Sequence, residues 1–148
     1  RLGGLVGGLA GAVAIMIVIA IIAPGTGFEV WTSPSVIASI ILRDNAEADA
    51  LSVILGTVMH LSLGAVFGVV FSWVAPRLTA TYPYWIVLGL IYGVFIWLAA
   101  ILVLPAIVDA DDISTETYFT ALLIANVLYG FVVGLVGLLF ELRQDQQS

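Results

Sequence analysis

Residues 51–75 read LSVILGTVMHLSLGAVFGVVFSWVA, an apolar stretch in which small residues and one histidine recur at intervals of four. About 20 such residues in a helix cross the ~30 Å hydrocarbon layer of a membrane. Residues 5–23, 84–104 and 117–140 are also long and apolar. Across all four stretches, His60 is the one side chain that readily titrates near neutrality. The sequence therefore predicts four transmembrane helices.

The composition agrees with a lipid environment. The chain has 148 residues, of which 62% are hydrophobic and 9% charged, whereas a soluble domain is about one-quarter charged. It has no cysteine, which excludes a disulfide framework and a thiolate metal site. The net charge is -6 and lysine is absent, so nucleic acid is not an expected partner. We expect the lipid bilayer to be the principal one.

The arginines predict the orientation of the helices, because basic residues favour the cytoplasmic side. With the N-terminus inside, Arg1, Arg77 and Arg143 are cytoplasmic and only Arg43 is external. Residues 5–23 then read as a retained signal-anchor, and most of the acidic residues face outward. We predict a multi-pass protein of a bacterial-type cytoplasmic (inner) membrane, N-in and C-in.

The second half of the chain resembles the first. A shift of 66 residues superposes the fourth apolar stretch on the second, and a shift of 81 superposes the third on the first. Both halves start on the same side of the membrane, which is typical of parallel repeats. The shifts superpose His60 on Asn126, Gly64 on Gly130, Gly68 on Gly134, Gly8 on Gly89, Pro24 on Pro105 and Arg77 on Arg143.

These features predict a single all-α transmembrane domain over residues 1–148. Its four transmembrane helices form two parallel two-helix repeats, residues 1–80 and 81–148. The first repeat carries an extra segment in its outer loop, where Ser33 suits a helix N-cap and Pro34 the first helical position. That segment is predicted to be a short outer interfacial helix, which serves either as a surface plug or as a lid or partner-binding shelf.

Small residues spaced four apart suggest how the helices pack, since glycine lets two helix backbones approach closely in lipid. We predict that these glycines face the bundle interior. The alternative is that one glycine face docks another subunit, and the first helix is the best candidate because it carries glycine on more than one side. The predicted packing positions are Gly7, Gly11, Gly64, Gly68, Gly89, Gly93, Gly130 and Gly134.

His60 and Asn126 are the polar residues that invite a functional interpretation, because polar groups inside a membrane are costly. A neutral His60 hydrogen-bonded to Asn126 or to a helix carbonyl would serve only structure. Alternatively, this level could bind a small polar molecule, a proton or an ion. A third interpretation makes His60 an axial ligand of a haem iron or a chlorin magnesium. Otherwise we expect no cofactor.

No catalytic or metal-binding motif stands out. The sequence contains no nucleophile elbow, Walker loop or HExxH motif, and no nucleophile–base pair. We therefore predict no catalytic residue and no enzyme activity. The acidic cluster around Asp109, Asp111 and Asp112 is more typical of a solvated rim than of a calcium loop, because it lacks EF-hand spacing.

The pattern resembles small uncharacterised bacterial four-helix inner-membrane proteins of the domain-of-unknown-function type. The resemblance spans nearly the whole chain. It implies a fold and a location in a membrane, and it implies no activity. The matching residues are Gly7, Gly11, His60, Gly64, Gly68, Gly93, Pro105, Asn126, Tyr129 and Gly130.

Small size, glycine-rich faces and few buried polar groups favour an accessory or scaffold subunit as the function. Such a subunit packs with other membrane proteins in a larger complex, for example a respiratory or photosynthetic one. The alternative is a protein that binds or conducts a small molecule or ion at the His60/Asn126 level.

Overall fold

The structure, a computed structural model, describes residues 2–26, 32–42, 50–78, 84–107 and 116–145. The described residues are all helical, and four of the helices are long and apolar enough to cross a membrane. The predicted number and positions of these long helices are confirmed. The acidic cluster of residues 109–112 lies outside the described residues. The helices are α1 (Leu2–Thr26), α2 (Thr32–Leu42), α3 (Ala50–Leu78), α4 (Tyr84–Ile107) and α5 (Glu116–Asp145).

Proline sets the ends of three of the long helices. Helix α1 ends two residues after Pro24, α3 two residues after Pro76, and α4 two residues after Pro105. A proline has no N–H and displaces the carbonyl four residues before it, which weakens the last helical turn. The short helix α2 begins at Thr32, slightly before the position that Pro34 predicted.

Helix α1 lies between α3 and α5, and α4 packs along the other side of α5. Helix α2 packs against α3. Helices α3 and α4 approach each other mainly through long side chains, with the Phe71 ring 6.1 Å from the Trp85 ring and 5.4 Å from the Tyr92 ring. These aromatic residues join a core whose buried members also include Ile15, Ala75, Ala125, Tyr129 and Val133.

The outer surface of the bundle is apolar on every long helix. Large side chains are widely exposed, among them Ile21 at 72%, Leu102 at 76% and Phe95 at 64%. Exposing apolar surface to water costs roughly 25 cal/mol per Å². A hydrocarbon environment removes that cost, so the surface suits a bundle surrounded by lipid.

Candidate functional site

The closest contact between α1 and α3 is made by glycine on both helices. A Cβ atom added to Gly8 would overlap the carbonyl oxygen of Gly64, and one added to Gly68 would overlap that of Gly4. Each helix therefore packs its backbone directly against the other. Only a residue without a side chain allows this approach.

Helices α4 and α5 make the same kind of contact. A Cβ atom on Gly89 would overlap the carbonyl oxygen of Gly130, and one on Gly134 would lie 2.7 Å from the carbonyl oxygen of Trp85. The pairing matches that of Gly8 with Gly64 residue for residue when the shifts of 81 and 66 are applied.

A second face of α1 packs against α5. A Cβ atom on Gly7 would lie 3.3 Å from the Cβ of Val136, and one on Gly11 would lie 2.7 Å from the Tyr129 ring. Helix α1 thus uses glycine on two sides, one toward α3 and one toward α5. The eight predicted packing glycines all lie against another helix of this chain.

His60 is half-buried on α3 and reaches across to α1. Its Nε2 lies 3.2 Å from the carbonyl oxygen of Ala12. A carbonyl oxygen can only accept a hydrogen bond, so Nε2 carries the hydrogen that it donates. Ligation of a haem iron or chlorin magnesium through Nε2 would require breaking this bond.

Asn126 is buried on α5. Its side-chain Nδ2 donates to the carbonyl oxygen of Leu122 in the same helix at 2.8 Å. The backbone carbonyl of Asn126 packs against Gly93 of α4. The structure therefore does not join His60 to Asn126 by a hydrogen bond; each side chain bonds to a helix carbonyl.

Two tyrosines make interhelical hydrogen bonds that the sequence analysis did not predict. The Tyr129 hydroxyl of α5 donates to the carbonyl oxygen of Gly64 at 2.5 Å, and the Tyr92 hydroxyl of α4 donates to that of Phe67 at 2.9 Å. Helix α3 is thereby bonded to three other helices, since His60 reaches α1. The signal was present in the sequence: each tyrosine directly precedes a glycine, Gly93 or Gly130. A phenol in an apolar segment also needs an acceptor.

The short helix α2 docks on the N-terminal half of α3. A Cβ atom on Gly56 would overlap the carbonyl oxygen of Pro34, and Ala38 is fully buried. Ser52, one turn before Gly56 on α3, is also buried. A single row of small residues on α3 is therefore covered by α2 toward the N-terminal end of α3 and by α1 toward its C-terminal end, with His60 between the two.

The C-terminal end of α3 carries an exposed arginine. The Arg77 guanidinium lies 4.0 Å from the centre of the Trp73 ring and donates to the Trp73 backbone carbonyl. This arrangement suits a membrane–water boundary, where arginine and tryptophan are both favoured. Within the five described ranges, no three His, Cys, Asp or Glu side chains are grouped so that they could hold a metal ion.

The described residues define a helical protein with four apolar helices of membrane-spanning length, held together by glycine contacts and side chain-to-carbonyl hydrogen bonds. The chain belongs to the DUF6789 family, a family of unknown function, whose model matches residues 1–148. The expected membership of a domain-of-unknown-function family is thus confirmed. No curated protein and no solved structure matches the chain.

Proposed function

We propose that the protein is a non-catalytic accessory or scaffold subunit that packs into a larger membrane complex. The observation that carries this proposal is how the bundle uses its polar groups. The side chains of His60, Tyr92 and Tyr129 each donate to a backbone carbonyl of a neighbouring helix. Such bonds fix the helices relative to one another and leave little freedom for an opening through the centre.

The packing of the core supports the same proposal. Phe71, Trp85, Tyr129 and Val133 fill the space between the helices, and Val133 is fully buried. A rigid, filled bundle presents constant surfaces to its surroundings. Because the predicted packing glycines are used inside the bundle, partner subunits would contact the exposed aliphatic and aromatic side chains instead.

We further propose that the two halves are parallel repeats inserted in a bacterial-type inner membrane, N-in and C-in. The equivalent contacts of Gly8 with Gly64 and of Gly89 with Gly130 support the repeat. The exposed Arg77 and Arg143 support the orientation, since each lies in the last turn of a long apolar helix and basic residues favour the cytoplasmic side.

Extraction from native membranes tests the subunit proposal. Native membranes that contain the untagged protein are solubilised in a mild detergent. The protein is followed through size-exclusion chromatography, and its peak is analysed by mass spectrometry. A subunit elutes in a large peak with the same partners at fixed stoichiometry in every preparation. Elution of this chain alone, at the size of a monomer or homo-oligomer, would refute the proposal.

A second candidate function is binding of a small molecule at His60. The observation that favours it is the state of the imidazole ring, which is only half-buried although it lies on the side of α3 that faces α1. Full enclosure of this ring would leave its second nitrogen, Nδ1, without a hydrogen-bond partner, because only Nε2 is bonded. The His60 side chain instead keeps partial exposure, which leaves room for a ligand to supply that partner.

A further inference from the structure

The hydrogen bond from His60 to Ala12 decides what else the imidazole can bind. Because Nε2 donates to the Ala12 carbonyl at 3.2 Å, the hydrogen of the neutral ring resides on Nε2. The other nitrogen, Nδ1, then carries a lone pair and no hydrogen. His60 can therefore offer a ligand one acceptor and no donor.

The surroundings of the ring select against charge. The residues one helical turn from His60 on α3 are Gly56, Thr57, Leu63 and Gly64, none of them charged, and Leu63 is 42% exposed. The acidic residues of the described helices are Glu116, Glu141 and Asp145, at the ends of α5. An ion here would have no opposite charge in the apolar part of the bundle, so its transfer from water would be costly.

We propose that His60 is a binding site for an apolar alcohol or phenol, whose hydroxyl donates a hydrogen bond to Nδ1. The proposal rests on the second candidate function and specifies its ligand class. A ligand group that only accepts hydrogen bonds, such as a quinone or ketone carbonyl or a carboxylate, has no partner on the ring. The body of the ligand lies in the lipid beside Leu63, where its own apolar surface stays out of water.

The single histidine of the chain makes the test specific. Protein labelled with ¹⁵N-histidine in bicelles gives ring-nitrogen NMR signals from His60 alone. We expect the Nε2–H tautomer in the free protein. Titration with 4-octylphenol should shift the Nδ1 signal to saturation, while its methyl ether, which cannot donate, should bind about fivefold more weakly, the factor for one ordinary hydrogen bond.

Two variants complete the design. Leu63→Trp should abolish the phenol-induced shift and keep the tautomer, because a larger side chain covers the approach to the ring. Ser62→Ala should leave the shift unchanged, because the exposed Ser62 hydroxyl already donates to the carbonyl of Val58 at 2.7 Å. The proposal is overturned if the hydrogen resides on Nδ1, if the phenol leaves Nδ1 unmoved, or if phenol and ether act equally. None of these outcomes bears on co-purification with partners, so the subunit proposal is judged separately.

Discussion

Replacing Gly8 with alanine tests the closest contact between α1 and α3. The added methyl group would overlap the carbonyl oxygen of Gly64 and lie 3.0 Å from both the Gly64 carbonyl carbon and the Gly68 Cα. Carbon atoms pack at about 3.5–4.0 Å, and backbone atoms cannot rotate away as a side chain can. The two helices must therefore move apart by roughly 0.5–1 Å.

That separation has two costs. Overpacking of a tight contact typically costs about 1–3 kcal/mol. The hydrogen bond from His60 to Ala12, now 3.2 Å long, would also stretch beyond bonding range. Its loss costs roughly 0.6 kcal/mol, the average contribution of an interhelical hydrogen bond in a membrane protein. Alanine gains about 1 kcal/mol over glycine in helix propensity, which offsets part of the loss.

The control that removes the propensity term is Gly7→Ala, on the next residue of the same helix. Its methyl group would lie 3.3 Å from the Cβ of Val136 and 3.4 Å from the Cα of Val133, so a small adjustment suffices. We expect the free energy of unfolding of Gly8→Ala to be about 2–3 kcal/mol below that of Gly7→Ala. Denaturant titration in bicelles, followed by tryptophan fluorescence, measures both. Equal stability of the two variants would refute the assigned contact.

Three further predictions concern other parts of the bundle. Tyr92→Phe should lower the free energy of unfolding by about 0.6 kcal/mol, because the hydrogen bond to the Phe67 carbonyl is lost. Circular dichroism should show an unchanged helix content. Gly56→Leu should displace α2 by filling the space of the Pro34 carbonyl, seen as faster amide hydrogen exchange in α2 and unchanged exchange in α5. Arg143→Cys, in a chain without other cysteines, should react with a membrane-impermeant maleimide only after the cells are opened; labelling of intact spheroplasts would reverse the proposed orientation.

The sequence predicted the long helices well because lipid imposes a simple requirement on them. A run of about 20 apolar residues has no soluble alternative of comparable stability, and proline marks where it ends. The short helix α2 was harder to place. The sequence supplied its N-terminal signals, but an interfacial position and a docked one share the same amphipathic pattern. The small residues Ser52 and Gly56 form the surface of α3 on which α2 docks. Their role can be recognised only from the contact of Pro34 with Gly56.

The candidate site was less predictable than the fold. The predicted repeat assigns His60 and Asn126 to one level, because a repeat would fix depth along the helix. Rotation about the helix axis and the choice of partner are not fixed in this way. Backbone carbonyls are present at every residue and leave no mark in the sequence, so the bonds to Ala12 and Leu122 could not be assigned in advance.

The predicted repeat does not explain one pair of helix–helix contacts, or seams: the seam between α1 and α5 and its counterpart between α4 and α3. This difference offers a last test. Helices α1 and α5 are in close contact, whereas their counterparts α4 and α3 are held apart by aromatic side chains. The reason lies in the sequence: the shift of 81 places Tyr84, Leu88 and Tyr92 where α1 has Gly3, Gly7 and Gly11.

A pair of engineered disulfides distinguishes the two seams. A Cβ atom on Gly7 would lie 3.3 Å from that of Val136, close to the ~3.5–4.5 Å that a disulfide spans. The double variant Gly7→Cys/Val136→Cys should therefore cross-link rapidly on mild oxidation. The equivalent pair, Leu88→Cys/Val70→Cys, should not, because Leu88 packs toward the core while Val70 is 41% exposed. Equal cross-linking of both pairs would mean that the two seams are alike, and that the aromatic residues do not hold α3 and α4 apart.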